Sequence, residues 1–297
     1  MEVRQELYTL APDPGNRRVQ LAVRCGNIHL PSVPSFHREN AETVQDQTGR
    51  VGFLYRNERL SCIRPGTSKI SPMLLLELRT ALKQVGDPAR APAMQAYMKS
   101  AMPYHGVPTP SLRQVCKATF ADVQFRTASQ WQAQVLDLWR DARFREERYA
   151  ALYLAGDKRA RPFQTLSAMK MYEELIVTGA WWDFVDNIAT QRVGPILKNY
   201  RAPMRRKMLS WSKSDNLWKR RTSILCQLGF KAETDLELLY ACIEPSIGSR
   251  EFFLRKAIGW ALRQYARTDE AEVKKYVRLN RARLSPLSCR EALKNIG

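Results

Sequence analysis

At 297 residues, 44% of them hydrophobic, the chain is long enough to bury one large core or two smaller ones and needs no disulfide or metal staple to fold. Lysine and arginine number 48 against 29 aspartates and glutamates, giving a formal charge of +19, a pI of about 10.0 and an expected polyanionic partner, nucleic acid or an anionic membrane surface. Cys25, Cys62, Cys116, Cys226, Cys242 and Cys289 form no CxxC pair and have no histidine cluster beside them, which argues against a zinc or iron–sulfur site and for metal-free chemistry without a cofactor.

Met1 to Leu10 is charged and lacks an apolar core, and no apolar run approaches the ~20 residues that span a bilayer, so a soluble cytoplasmic protein with reduced thiols is expected. Residues 1–67 are punctuated by Pro12, Pro14, Gly15, Pro31, Pro34, Gly49, Gly52, Pro65 and Gly66 and show no helical periodicity. Short strand-like pieces such as Val19 to Val23 are too broken to make a sheet with a core. The segment reads as an irregular or disordered extension, or as the product of an upstream start codon with Met73 as the true start, and residues 68–297 read as the folded domain. Cut after Pro72, the chain carries 10 basic and 7 acidic residues before the cut and 38 and 22 beyond it, a net +3 and +16. The electrostatic footprint therefore belongs to the second part.

From Ser71 the pattern becomes helical, with breaks expected at Gly86-Asp87-Pro88, Pro103 to Pro110, Gly156, Pro195, Pro203, Pro245 and Ser285-Pro286. Capping boxes are expected at Thr234 with Glu237, Asp269 with Glu272 and Ser288 with Glu291. Roughly a dozen helices joined by short turns, with no strand among them, predict an all-α fold. Antiparallel helix pairs repeated in this way stack into an α-solenoid with a concave surface; a compact bundle is the alternative.

Four stretches carry chemistry. Met94 to Ser100 places Tyr97 and Lys99 on a short helix, followed by Tyr104 and His105; the histidine is given no catalytic role. Trp181 to Ile188 puts two indoles and two carboxylates within two helical turns, with Trp182 and Asp186 stacked at i and i+4 on the edge of an apolar side formed by Trp181, Val185 and Ile188. A carboxylate beside an indole suits a cationic partner, while the structural alternative is a helix start with Asp183 and Asp186 near the N-terminal dipole. In Ser214 to Leu225, Arg221 falls in the middle of the side formed by Leu217, Ile224, Leu225 and Leu228. It must pair with a buried acid or look into a cleft, where a guanidinium can grip phosphate with two donors. Finally, Lys256, Trp260, Arg263 and Arg267 form one helical stripe of cations around an aromatic ring, suited to phosphate and sugar or base.

Taken together, Tyr97-Met98-Lys99, Glu174 to Asp186, Ser214 to Arg221, Lys256 to Trp260 and Pro286 to Ala292 occur in the collinear order of the AlkD-like DNA alkylation repair glycosylases, which the chain resembles from about Met73 to Gly297. The resemblance implies a HEAT-like helical-repeat solenoid with a basic concave face, acting as a monomer on duplex DNA. It implies excision of cationic N-alkylated purines, chiefly 7-methylguanine and 3-methyladenine, without extrusion of the base into a pocket. It assigns the catalytic carboxylate to Asp186, the sugar-facing indoles to Trp182 and Trp260, the phosphate-gripping arginine to Arg221 and a DNA-proximal tyrosine to Tyr97. Lys99, Lys256, Arg263 and Arg267 are the expected backbone contacts. The location implied is cytoplasmic, on the nucleoid. A non-catalytic DNA-binding repeat protein, or a scaffold for protein partners, would share the architecture but would need no carboxylate at position 186.

Overall fold

A computed structural model describes residues 43–45, 51–53, 69–294 and 296. Two units are distinguished, Met1–Ser61 and Cys62–Gly297. In the first, β1 (Thr43–Gln45) pairs antiparallel with β2 (Val51–Phe53), Thr43 opposite Phe53 and Gln45 opposite Val51. Two strands of three residues do not make a sheet with a core of its own. The strand-like piece at residues 19–23, Cys25 and Cys62 lie outside the described residues.

The second unit is helical. Its α-helices among the described residues are α1 (Pro72–Val85), α2 (Ala91–Met98), α3 (Thr109–Thr119), α4 (Ala128–Arg140), α5 (Arg145–Ala155), α6 (Met169–Gly179), α7 (Trp182–Ile188), α8 (Gly194–Asn199), α9 (Arg201–Ser212), α10 (Leu217–Leu225), α11 (Leu236–Ile243), α12 (Phe252–Ala266), α13 (Glu270–Leu279) and α14 (Pro286–Ala292). Each helix has an apolar stripe that must be buried against another, and near neighbours in sequence supply the cover. One row runs through the unit by successive packing: α1 on α3, α3 on α5, α5 on α7, α7 on α10, α10 on α12 and α12 on α14. A second set backs it, with α4 on both α5 and α6 and α9 on both α10 and α11. Contact restricted to near neighbours is the organisation of a helical-repeat solenoid. Trp131, Trp139, Tyr172 and Phe184 are fully buried in a first core cluster, and Leu254, Ile258, Leu262 and Val273 in a second.

The expected break at Pro195 is not a break, whereas those at Pro203 and Pro245 coincide with helix boundaries, α8 ending at Asn199 before α9 and α11 ending at Ile243. Pro195 lies in the first turn of α8, and α7 reaches it through a π-helical turn, Ala189–Val193, with Ile188, Ala189, Val193 and Gly194 all in helical conformation. The wider turn keeps the proline ring clear of the carbonyl four residues back, and no N–H is lost that the helix needs. Pro203 sits in the first turn of α9, where the backbone N–H has no intrahelical acceptor in any case, and Pro245 sits inside a 3-10 turn, Glu244–Ser246. Two expected caps also move. Asp235 caps α11 instead of Thr234, accepting from Leu238 N at 2.9 Å, while the Thr234 hydroxyl donates to Lys231 O. Ser285 caps α14 by accepting from Ser288 N at 3.0 Å, because Pro286 starts the helix there and the Ser288 hydroxyl donates to Arg255 O. Asp269 caps α13 where expected, accepting from Glu272 N at 2.9 Å.

Candidate active site

Phe184, Val185 and Ile188 are fully buried and fix the roll of α7. That roll places Asp183 and Asp186, three residues apart, on one side of the helix, and Trp182 one turn before Asp186. Trp181 does not belong to the helix but precedes it in extended conformation. Its ring lies 6.2 Å from Trp218 and 5.4 Å from Phe253, with its indole N–H buried and unpartnered. Trp182 is half-buried against the first core cluster.

Asp186 meets Arg221 of α10 in a two-pronged ion pair, Nε donating to Oδ1 at 2.7 Å and Nη2 to Oδ2 at 2.8 Å. The side chains are 14% and 5% exposed respectively, so the pair is largely removed from water. Arg221 Nη1 donates to the Phe253 carbonyl in the first turn of α12, and its guanidinium carbon lies 5.8 Å from the Phe253 ring. The arginine on the apolar side of α10 has thus found its acid. Burial raises the Asp186 carboxyl above its ordinary value; the Arg221 charge and hydrogen bonds oppose that rise, and the Asp183 charge adds to it.

The stripe on α12 divides. Lys256 Nζ donates to Glu291 Oε1 at 2.9 Å and Arg263 Nη1 to Glu291 Oε2 at 2.5 Å, so one carboxylate from α14 holds both cations. Burial pushes Glu291 up, but Lys256 and Arg263 together outweigh it and hold the carboxyl below its ordinary value. Trp260 is half-buried on the second core cluster. It stands seven residues after Phe253, hence on the same face of α12 as the Phe253 side chain. Arg267, the residue after α12, is exposed, as is Lys99, which closes α2 in left-handed conformation at φ 48° instead of lying within it. Tyr97 is 60% exposed on α2. His105 stacks on Phe144 at 3.7 Å, and burial lowers its pKa.

Sequence reasoning had no hold on a second ionic cluster beside the first. Arg145 of α5 donates to Asp183 Oδ1 at 2.7 Å, and the Tyr149 hydroxyl donates to Asp183 Oδ2 at 2.5 Å. Arg145-Glu146-Glu147-Arg148 reads as a solvated charge run, yet Arg145, Glu146 and Glu147 are all buried. The usable signal was the arginine–tyrosine spacing of four on a helix with apolar Ala150, Ala151 and Leu154. Glu147 receives Arg79 of α1 at 3.1 Å and Glu146 accepts three backbone N–H groups, from His105, Gly106 and Val107.

The molecule is, by class, a basic helical-repeat protein that carries a largely buried carboxylate–guanidinium pair between α7 and α10. The family model described as DNA alkylation repair enzyme matches residues 78–296, and the chain belongs to that family. Among solved structures, a predicted DNA alkylation repair enzyme from Enterococcus faecalis is similar, with a TM-score of 0.65 and 27% identity over 71% of this chain and 97% of its own. No curated protein matches. Family membership carries a role in DNA repair, enzymatic activity and DNA binding. No helix among the described residues is long and apolar enough to cross a membrane.

Proposed function

We propose that the protein is a monofunctional DNA N-glycosylase that excises cationic N-alkylated purines, 7-methylguanine and 3-methyladenine, from duplex DNA and leaves an abasic site for base excision repair. Alkylation at N7 or N3 makes the purine a cation, so the base departs neutral and needs little help from a general acid. The barrier then lies in the deoxyribose, which becomes oxocarbenium-like as the glycosidic bond stretches. Asp186 is the group that opposes this charge and orients the attacking water, while Trp182 and Trp260 offer ring faces to the sugar. Arg221 is the counter-ion that an incoming phosphate shares, and in turning its fork toward DNA it releases part of the Asp186 charge toward the lesion. No lysine acts as a Schiff-base nucleophile, so the strand stays uncut. The protein acts as a monomer, on a HEAT-like concave face, without a base-holding pocket.

The observation that carries this reading is the two-pronged Asp186–Arg221 pair, largely buried and one helical turn from Trp182. Asp186→Asn keeps the shape, removes the charge and frees Arg221 for phosphate. Single-turnover release of 7-methylguanine from methylated duplex DNA is expected to fall by about two to three orders of magnitude, with DNA affinity unchanged or higher. An undiminished rate in the folded variant overturns the assignment.

A further inference from the structure

Asp183 and Asp186 stand three residues apart on α7, both largely buried, with no counter-ion in common. Asp186, 14% exposed, takes Arg221, 5% exposed, which in the proposed function shares an incoming phosphate. Asp183, 12% exposed, takes Arg145, 6% exposed, to which the proposed function gives no phosphate. Arg145 is boxed in: its guanidinium carbon lies 4.2 Å from the Phe184 ring centroid, its Nε donates to the Tyr149 hydroxyl at 3.1 Å, and its Nη1 reaches the Ser100 hydroxyl at 3.4 Å. The Tyr149 hydroxyl also meets the Tyr104 hydroxyl at 3.2 Å, and burial together with the Asp183 charge keeps Tyr149 protonated as a donor. A cation fixed there, one helical turn from Asp186, would act as a counter-ion that cannot leave.

Resting on the glycosylase reading above, we propose that Asp183 is a positioning residue whose charge cancels that of the trapped Arg145, so that the Asp186 charge stays available to the reacting sugar. The acids of α6 are already paired, while two neighbouring cations, Arg148 and Arg192, are not. Arg148 of α5 donates to the Thr178 carbonyl and lies over Trp139 with its Nε buried and unpartnered. On α6, Glu173 binds Lys207 and Lys219, and Glu174 binds Arg140. On the π-helical turn, the Arg192 guanidinium lies against Gly156 and near Tyr172, its Nε buried without a partner and no acid paired with it among the described residues. From α10 only Arg221 reaches Asp186 among the described residues. Asp186 therefore stands beside its own partner, Arg221, and beside the Asp183–Arg145 pair, whose two charges act on it with opposite sign.

The test uses the full chain in four forms: wild type, Asp183→Asn, Asp183→Asn with Arg145→Gln, and Asp186→Asn to identify the Asp186 carboxyl signal in protein carrying carbon-13 aspartate. In Asp183→Asn, loss of the Asp183 charge and the uncancelled guanidinium should together move the Asp186 titration, followed by NMR, to lower pH. The plateau rate of 7-methylguanine release should drop about tenfold. Adding Arg145→Gln should move the titration back up and recover most of the rate. A merely structural role predicts that the second substitution adds to the damage and leaves the titration where the first put it, and that outcome overturns the proposal. So does an Asp186 titration that does not move in Asp183→Asn, with circular dichroism and melting temperature confirming the fold of each form. The NMR titration is read without turnover, so an inactive wild type would sink the glycosylase reading while leaving the charge cancellation to be decided on its own.

Discussion

Asp186 is an acid whose surroundings pull in two directions. Burial disfavours the charged form more than Arg221 favours it, so the carboxyl titrates above its ordinary value of 3.8. The consequences for rate and for stability have opposite sign. Catalysis as proposed needs the carboxylate, so excision should be lost as pH falls through this raised pKa. The contribution of the same group to folding is present at low pH and lost as pH rises through it, because the folded state then holds a desolvated charge. Single-turnover rates of 7-methylguanine release measured across the acid range should therefore show a limb centred above the value of a solvated aspartate. A limb at or below that value would mean that another group, or none, controls the rate. Arg221 shows the same residue-scale logic from the cationic side. A guanidinium on an apolar helix side is tolerable only with its donors satisfied, and Asp186 and the Phe253 carbonyl satisfy them.

At the scale of elements, the close packing of α12 on α14 depends on Gly259. A Cβ there would collide with the Glu291 Cβ and lie 2.9 Å from the Ser288 carbonyl oxygen, which is backbone and cannot swing away. Alanine would gain about 1 kcal/mol of helix propensity, but pushing α14 outward costs about 1–3 kcal/mol. It also pulls Glu291 off Lys256 and Arg263. Gly259→Ala is thus expected to lower the melting temperature by several degrees and to soften the acid end of the stability profile. Glu291 is held below its ordinary value, so its stabilising contribution is present at neutral pH and lost as pH falls through the folded pKa. A variant as stable as the parent would show that α14 can shift without loss. The π-helical turn after α7 is an element-scale solution of the same kind, since it lets one bent helix carry Asp186 past Pro195 without a break.

For the whole molecule, the row α1, α3, α5, α7, α10, α12, α14 carries a relay of interhelical ion pairs: Arg79 with Glu147, Arg145 with Asp183, Asp186 with Arg221, and Glu291 with Lys256 and Arg263. These cations are already held by acids and are not free to meet DNA, so the +19 net charge must act through cations that carry no such pair. Lys99 and Arg267 are exposed and carry no ion pair among the described residues. Replacing either by alanine should reduce the steepness of the log affinity against log salt plot for duplex DNA by about 0.9, whereas Lys256→Ala and Arg263→Ala should change it much less while Glu291 keeps its remaining partner. Equal losses from all four positions would show that DNA strips Glu291 of its cations.

The helical character of residues after Ser71, the solenoid arrangement, the family resemblance and the placement of a lone arginine on an apolar helix side were all legible in the sequence, because periodicity and helix punctuation are local properties. Local patterns also explain the misplaced caps: Thr234 and Asp235, or Ser285 and Ser288, compete for one position, and the proline and the neighbouring helix decide between them. Which charge meets which is not local. Arg221 and Asp186 are 35 positions apart, as are Lys256 and Glu291, and Arg145 and Asp183 are 38 apart. The linear chain determined that this would be a basic stack of helices with chargeable groups on buried faces; only the packing of α5, α7, α10, α12 and α14 in one row decided their partners, since the strength of a buried charge pair depends on distance and desolvation, which sequence spacing does not contain.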